Sequence, residues 1–293
     1  MDWVQYWFLF PLAMAVATTA MLSGIGGAAM FTPIFLVVLP LLGPDYPFGS
    51  FAAAIGVAVL TQTFGFTSGF IGYYRKRLID YSSAWPFIAA GVPLAIAGGL
   101  LLARSKPYEN ALFAAYAVLM FVLSVALFRR RAVVPVTGPS PTAFAANAKS
   151  ITDHRGRTYS YTAPRIGDGV ALTGLGGFLT GLLGVGIGEV VLPQLVTKHR
   201  VPLPVAAATS VFVTIVVVAT ASATQVAGLV SAGGIDALPW NAVVYLVPGV
   251  LIGGQLGPAL QGRVPARVME LAIASLFAAI GSAITWIALR SIF

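Results

Sequence analysis

The 293-residue chain is 58% apolar and only 9% charged, with a mean hydropathy of +0.90, far from the roughly 25% charge of soluble domains. Apolar runs near 20 residues recur from end to end, which excludes a string of soluble domains and indicates an all-α integral membrane protein embedded in a lipid bilayer. The net charge of +8 does not signal nucleic acid, because Lys and Arg sit in short loops and not on one face. Cys is absent, so disulfides and thiolate metal sites are excluded as well.

The first span is expected from about Trp3 to Leu22, with Trp3, Tyr6 and Trp7 as an aromatic belt at one membrane face. No basic region or small-residue cleavage site precedes it, so it reads as a retained span and not a signal peptide. Gly24, Gly26 and Gly27 then interrupt the helix. The second span, Ala28 to Leu42, is short and contains Pro33 and Pro40. Three further spans are expected over Ser50 to Tyr74, Trp85 to Ala103 and Ala111 to Phe128, the first and last of these stopping sharply at Arg75-Lys76-Arg77 and Arg129-Arg130-Arg131.

Residues 132–166 are polar, with Pro135, Pro139, Pro141 and Pro164, and read as a flexible cytoplasmic linker. It separates a first transmembrane repeat, 1–131, from a second, 167–293. The second half is expected to span at Gly167 to Leu183, Gly188 to Thr197, Pro204 to Val230, Trp240 to Leu260 and Val268 to Leu289, its second segment again short.

Internal similarity supports that division. Gly24 to Pro33 reads GIGGAAMFTP and Gly184 to Pro193 reads GVGIGEVVLP, sharing glycine at the first and third places and proline at the tenth. Ala52 to Ala54 match Ala206 to Ala208, Ile79-Asp80 match Ile235-Asp236, and Val92, Pro93, Gly98, Gly99 match Val247, Pro248, Gly253, Gly254. Matches in one order argue for duplication. If all ten segments cross, 14 Lys and Arg face the cytoplasm and 3 (Arg104, Lys106, Arg290) face out; if the two short ones enter and return, the split is 11 to 6. The stronger bias favours ten crossings with both termini outside, and five spans per half invert one repeat relative to the other, as in many transporters.

A glycine run in a membrane segment ordinarily serves close helix packing. Two broken, glycine- and proline-interrupted segments at corresponding positions point instead to a substrate site at the repeat interface, where freed backbone N–H groups attract anions. Glu189 is the sharpest single residue, since a carboxylate in hydrocarbon costs several kcal/mol and marks a cavity or a partner. Its place in the first turn after Gly188 also suits a structural cap. Thr32, Gln62, Thr63, Gln194, Thr209, Ser210 and Gln255 could line the same cavity, although hydroxyls in membrane helices often bond their own backbone. His154 falls in the linker and His199 at a span end, so no base faces Ser23 for nucleophilic catalysis, and no phosphate loop, cofactor or metal motif is present.

The doubled glycine motif resembles the TauE/SafE-like sulfite exporter family, also called the 4-toluene sulfonate uptake permease family, over nearly the whole chain. That family's G-x-G-G-G, with a proline after four further residues, is carried once by Gly24, Gly26, Gly27 and Pro33 and again by Gly184, Gly186, Gly188 and Pro193. Ala28 replaces the last glycine of the first copy and Ile187 the middle glycine of the second. The resemblance implies ion-gradient-driven transport of sulfite, sulfonates or related small anions across the bacterial inner membrane. From the residues themselves, Gly24, Gly26, Gly27, Ala28, Thr32, Gln62, Gly184, Gly186, Gly188, Gln194, Thr209 and Ser210 are the expected substrate-binding residues and Glu189 the expected coupling residue. An anion channel of the same fold is the alternative, and the sequence assigns no oligomeric state.

Overall fold

A computed structural model describes residues 3–23, 26–43, 46, 50–129, 148–163, 169–260 and 266–290, whose regular structure is helical apart from one β-hairpin. The first half runs α1 (Leu9–Ser23), α2 (Ala28–Pro33), a π turn (Ile34–Val38), α3 (Leu39–Leu42), α4 (Phe51–Arg75), α5 (Tyr81–Ala103) and α6 (Glu109–Arg129). The second runs α7 (Val170–Leu183), α8 (Ile187–Pro193), a π turn (Gln194–Lys198), α9 (Leu203–Gly233), α10 (Trp240–Leu260) and α11 (Ala266–Arg290). Among the described residues, seven helical segments are long and apolar enough to cross a membrane, and Ala28–Leu42 and Val170–Leu183 are shorter apolar helices.

Both short segments change from α to π immediately after their motif proline, Pro33 and Pro193. Proline lacks an N–H and its ring crowds the carbonyl four residues earlier. Widening the next turn relieves that clash without ending the helix. The same device follows the motif proline of each short segment.

Helices pack through small residues, which let backbones approach where lipid supplies no hydrophobic drive for helix association. Along one seam, a Cβ at Gly249 would lie 2.8 Å from the Ala13 Cβ, and one at Gly253 2.9 Å from the Ala17 Cβ, so α10 lies against α1. Along the other, a Cβ at Gly177 would lie 2.8 Å from the Gly91 Cα, so α7 lies against α5. Each half's first helix therefore rests on the penultimate helix of the other half.

Register gives helix directions. Gly65 faces Ala17 and Val250, and Gly69 faces Met21 and Gly254, so α1, α4 and α10 run parallel. Gly91 faces Gly177 and Val217, Gly98 faces Gly181, and Gly99 faces Thr224, so α5, α7 and α9 run parallel to one another. Large apolar side chains such as Leu101, Val118, Val122, Leu175, Ile252 and Trp286 remain exposed around the bundle, as a bilayer-facing surface requires.

The stretch read as a flexible linker contains β1 (Ala148–Thr152) and β2 (Thr158–Thr162), paired antiparallel with Ser150 opposite Ser160. Alternating Thr and Tyr favour the strand, and Gly156 turns the chain at φ +78°. Asp80 fastens this hairpin to the helices. Its carboxylate accepts hydrogen bonds from the Ser83 N–H (3.1 Å) and the Tyr161 hydroxyl (2.7 Å) and pairs with Lys149 at 3.3 Å. Burial raises the Asp80 pKa, but the hydrogen bonds from Ser83, Tyr161 and Ser82 outweigh it and hold the group down at about 2.

Candidate functional site at the two helix breaks

The two interrupted stretches meet in the interior. A Cβ at Gly184 would lie 3.5 Å from the Ala28 Cβ and 3.0 Å from Val59 Cγ2, on the inner face of α4. A helix start leaves its first N–H groups without backbone partners. Four such groups here are bonded by side chains. Gly26 N–H donates to Glu189 Oε1 at 2.8 Å, and Gly186 N–H donates to Glu189 Oε2 at 3.0 Å. Ala28 N–H donates to Gln62 Oε1 at 2.7 Å, and Ile187 N–H donates to Thr180 Oγ1 at 2.9 Å.

The pattern is the same in both halves: one freed N–H is taken by a side chain of a helix in its own half, and the other by Glu189. The carboxylate thus caps its own helix at Gly186 and simultaneously holds Gly26, 163 residues away in the chain. Glu189 is therefore both a cap of its own helix and a bridge to the break in the other half. Its side chain remains only partly buried.

Glycine is required here for two reasons. Gly186 adopts φ +146°, and a Cβ there would lie 2.7 Å from the Gly176 carbonyl oxygen on α7. At Gly26 the demand is space alone, because a Cβ would lie 3.1 Å from Glu189 Oε1 and 3.2 Å from Gln62 Nε2.

Of the residues expected at the site, Gly26, Gly27, Ala28, Gln62, Gly184, Gly186, Gly188 and Glu189 belong to this crossing or its first helical turns; Gly24 lies outside the described residues. Thr32 is fully buried one turn along α2, beside Tyr116, whose hydroxyl donates to the Ala29 carbonyl at 3.3 Å. The others have different partners. Gln194 Nε2 donates to Thr173 Oγ1 on α7 at 3.2 Å. Thr209 Oγ1 accepts from the Asp80 N–H at 3.0 Å, beside the hairpin, and the Ser210 hydroxyl donates to the Ala207 carbonyl at 3.0 Å. Thr63 bonds its own helix at Val59, and Gln255 bonds Ser68. Thr180 escaped sequence reading, because nothing local separates it from any other helix-bonded threonine.

Apolar helices closed over two glycine breaks that share one carboxylate define a multi-pass helical membrane protein with a polar centre. The chain belongs to the Sulfite exporter TauE/SafE family, whose model matches residues 9–284. It is 25% identical over 272 residues to the "Probable membrane transporter protein YunE" of Bacillus subtilis (strain 168), a match covering 92% of this chain and 93% of that protein. No solved structure matches significantly. Family and relative both point to a membrane transporter.

Proposed function

We propose that this chain is a secondary transporter that moves a small sulfur-containing or organic anion, such as sulfite or a sulfonate, across the bacterial inner membrane in exchange with protonation of Glu189. The observation that carries this reading is the Glu189 carboxylate on the Gly26 and Gly186 N–H groups at 2.8 and 3.0 Å. An oxyanion already sits between the two breaks, as part of the protein. No Lys or Arg lies in the interior of a span, so a substrate anion at the centre is neutralised by backbone donors and helix dipoles.

The same donors cannot serve two anions. When Glu189 takes up a proton its hold on the N–H groups weakens, and a substrate oxygen replaces it; when it ionises again it expels the substrate. Anion movement is thereby tied to proton movement by competition for two backbone groups. Five-plus-five inverted repeats with ten crossings fit this cycle. That topology is supported by the parallel course of α1 and α4 and of α7 and α9, because a short segment that entered and returned would leave the flanking helices antiparallel.

Purified protein in liposomes tests the reading. Sulfite, 4-toluenesulfonate or sulfoacetate on one side should drive counterflow of the same labelled anion, and an imposed pH gradient should drive net uptake. Flux that ignores the pH gradient would make the protein a channel, and no flux of any such anion would refute the proposal.

A further inference from the structure

A cavity of about 720 Å³ opens beneath the hairpin, where α1, α4 and α10 end and α9 begins. The hairpin turn is pinned over it by the His154 N–H, which donates to the Lys76 carbonyl at 3.2 Å. Leu22, Leu78 and Pro258 form apolar wall, and the charged lining comes from Lys76, Arg155, Arg157 and Asp153.

The single carboxylate is already committed. Asp153 Oδ1 accepts from the Arg155 and Arg157 N–H groups at 2.9 and 2.8 Å, and Oδ2 pairs with Arg157 Nε at 2.8 Å. It shapes the turn and balances one arginine. Lys76 reaches the Pro258 carbonyl at 3.4 Å and lies 5.7 Å from the centre of the Tyr73 ring. Among the described residues no carboxylate pairs with Lys76 or with Arg155. Burial, and then the charges of Arg155 and Arg157, lower the Lys76 pKa, and among the described lining residues three cations stand against one carboxylate.

We propose that this chamber is a second anion site, which takes a tetrahedral or pyramidal oxyanion: a sulfonate, sulfite, sulfate or phosphate group. Guanidinium groups pair with such oxygens through two donors at once, Lys76 adds a point charge, and the apolar wall accommodates an organic substituent. The oxyanion has two sources, a soluble anion or the phosphate of an anionic lipid at the membrane surface. The site is distinct from the helix crossing and uses neither Glu189 nor the glycine N–H groups, although Leu22 in its wall precedes Gly26 by four residues.

Calorimetric titration of full-length protein with sodium sulfate, in nanodiscs of phosphatidylcholine alone, tests this. Saturable binding is expected in the parent and in Gly26→Leu, whose central site is blocked. Arg155→Gln and Lys76→Gln should each weaken it roughly tenfold, as loss of a charge-assisted contact does, while Lys76→Arg keeps it. Arg155 lies on the exposed turn, so its variant leaves the fold intact. In discs containing phosphatidylglycerol, a fall in sulfate affinity in the parent that is absent from Arg155→Gln identifies lipid phosphate as the occupant. Equal affinity in both discs identifies a soluble anion. Absence of saturable binding in both, or full affinity in a Lys76→Gln/Arg155→Gln double variant, would overturn the proposal. Loss of transport in Gly26→Leu without any chamber binding sinks this inference alone; chamber binding in a parent that transports no anion sinks the transport reading alone.

Discussion

Replacing Glu189 by Gln keeps the shape of the side chain and removes its charge, and it separates the two roles of that residue. The carboxylate accepts two charge-assisted hydrogen bonds, from Gly26 and Gly186, each worth about 1.5–3 kcal/mol. An incoming anion must displace both, at about 3–6 kcal/mol. The amide can accept from only one of the two N–H groups, through a neutral bond of about 0.5–1.5 kcal/mol, and turns its own donor toward the other. Displacement then costs less by at least about 1.5 kcal/mol, and since 1.4 kcal/mol is tenfold, anion binding at neutral pH should tighten by about tenfold or more. Parent protein should approach the variant's affinity as pH falls, because a protonated carboxyl no longer competes. The assay is anion titration by calorimetry across pH 5–8, paired with proteoliposome flux. Tighter, pH-independent binding with loss of pH-driven net flux is expected. A variant that binds no more tightly than the parent at pH 8, and keeps the parent's pH slope, would refute competition between Glu189 and substrate.

Other outcomes follow from the same geometry. Gly26→Leu should abolish binding at the crossing while the protein still inserts, because its side chain would occupy the space against Glu189 and Gln62. Gly99→Leu instead crowds Thr224, whose Cγ2 would lie 3.0 Å from the new Cβ, and should cost about 1–3 kcal/mol of stability before any affinity; thermal unfolding and titration on the two variants separate these effects. Asp80→Asn should loosen the hairpin and speed tryptic cleavage at Arg155 and Arg157 at neutral pH. In the parent, the folded Asp80 pKa of about 2 lies below the ordinary 3.8, so its stabilisation is complete above about pH 4 and fades as pH falls toward 2; a fluorophore on Thr158→Cys should report that release, and unchanged proteolysis in Asp80→Asn would remove Asp80 as the fastener. Topology is read from single cysteines, since the chain has none of its own. Val4→Cys should label from outside and Thr158→Cys from the cytoplasm, and labelling of both from one face would end the model of ten crossings.

Much of the fold was legible in the sequence because it is dictated locally. Hydrophobic run length determines which segments can lie in lipid, and glycine and proline determine where a helix must stop or widen. Span limits read from composition therefore agree with the helices to within a few residues, as at Trp240–Leu260 and Ala28–Leu42. Glu189 stood out for a local reason too, being an acidic residue in an apolar run. The hairpin at 148–162 was missed although its alternating Thr and Tyr carried a strand signal, because the surrounding prolines and polar residues masked it.

Which groups meet was decided only by the tertiary structure. Gln62, Gln194, Thr209 and Ser210 are alike to a sequence reading, as polar side chains in apolar helices. Packing brings Gln62 to the Ala28 N–H, turns Gln194 toward Thr173 and gives Thr209 to Asp80, while Ser210 stays on its own helix. The glycines likewise implied open backbone donors, whereas the fold supplies those donors with Glu189, Gln62 and Thr180. A buried polar group left without a partner is costly in a medium without water, and its partner is set by how distant helices cross. Gly26 and Glu189 are 163 residues apart, and no local property of either residue encodes the other.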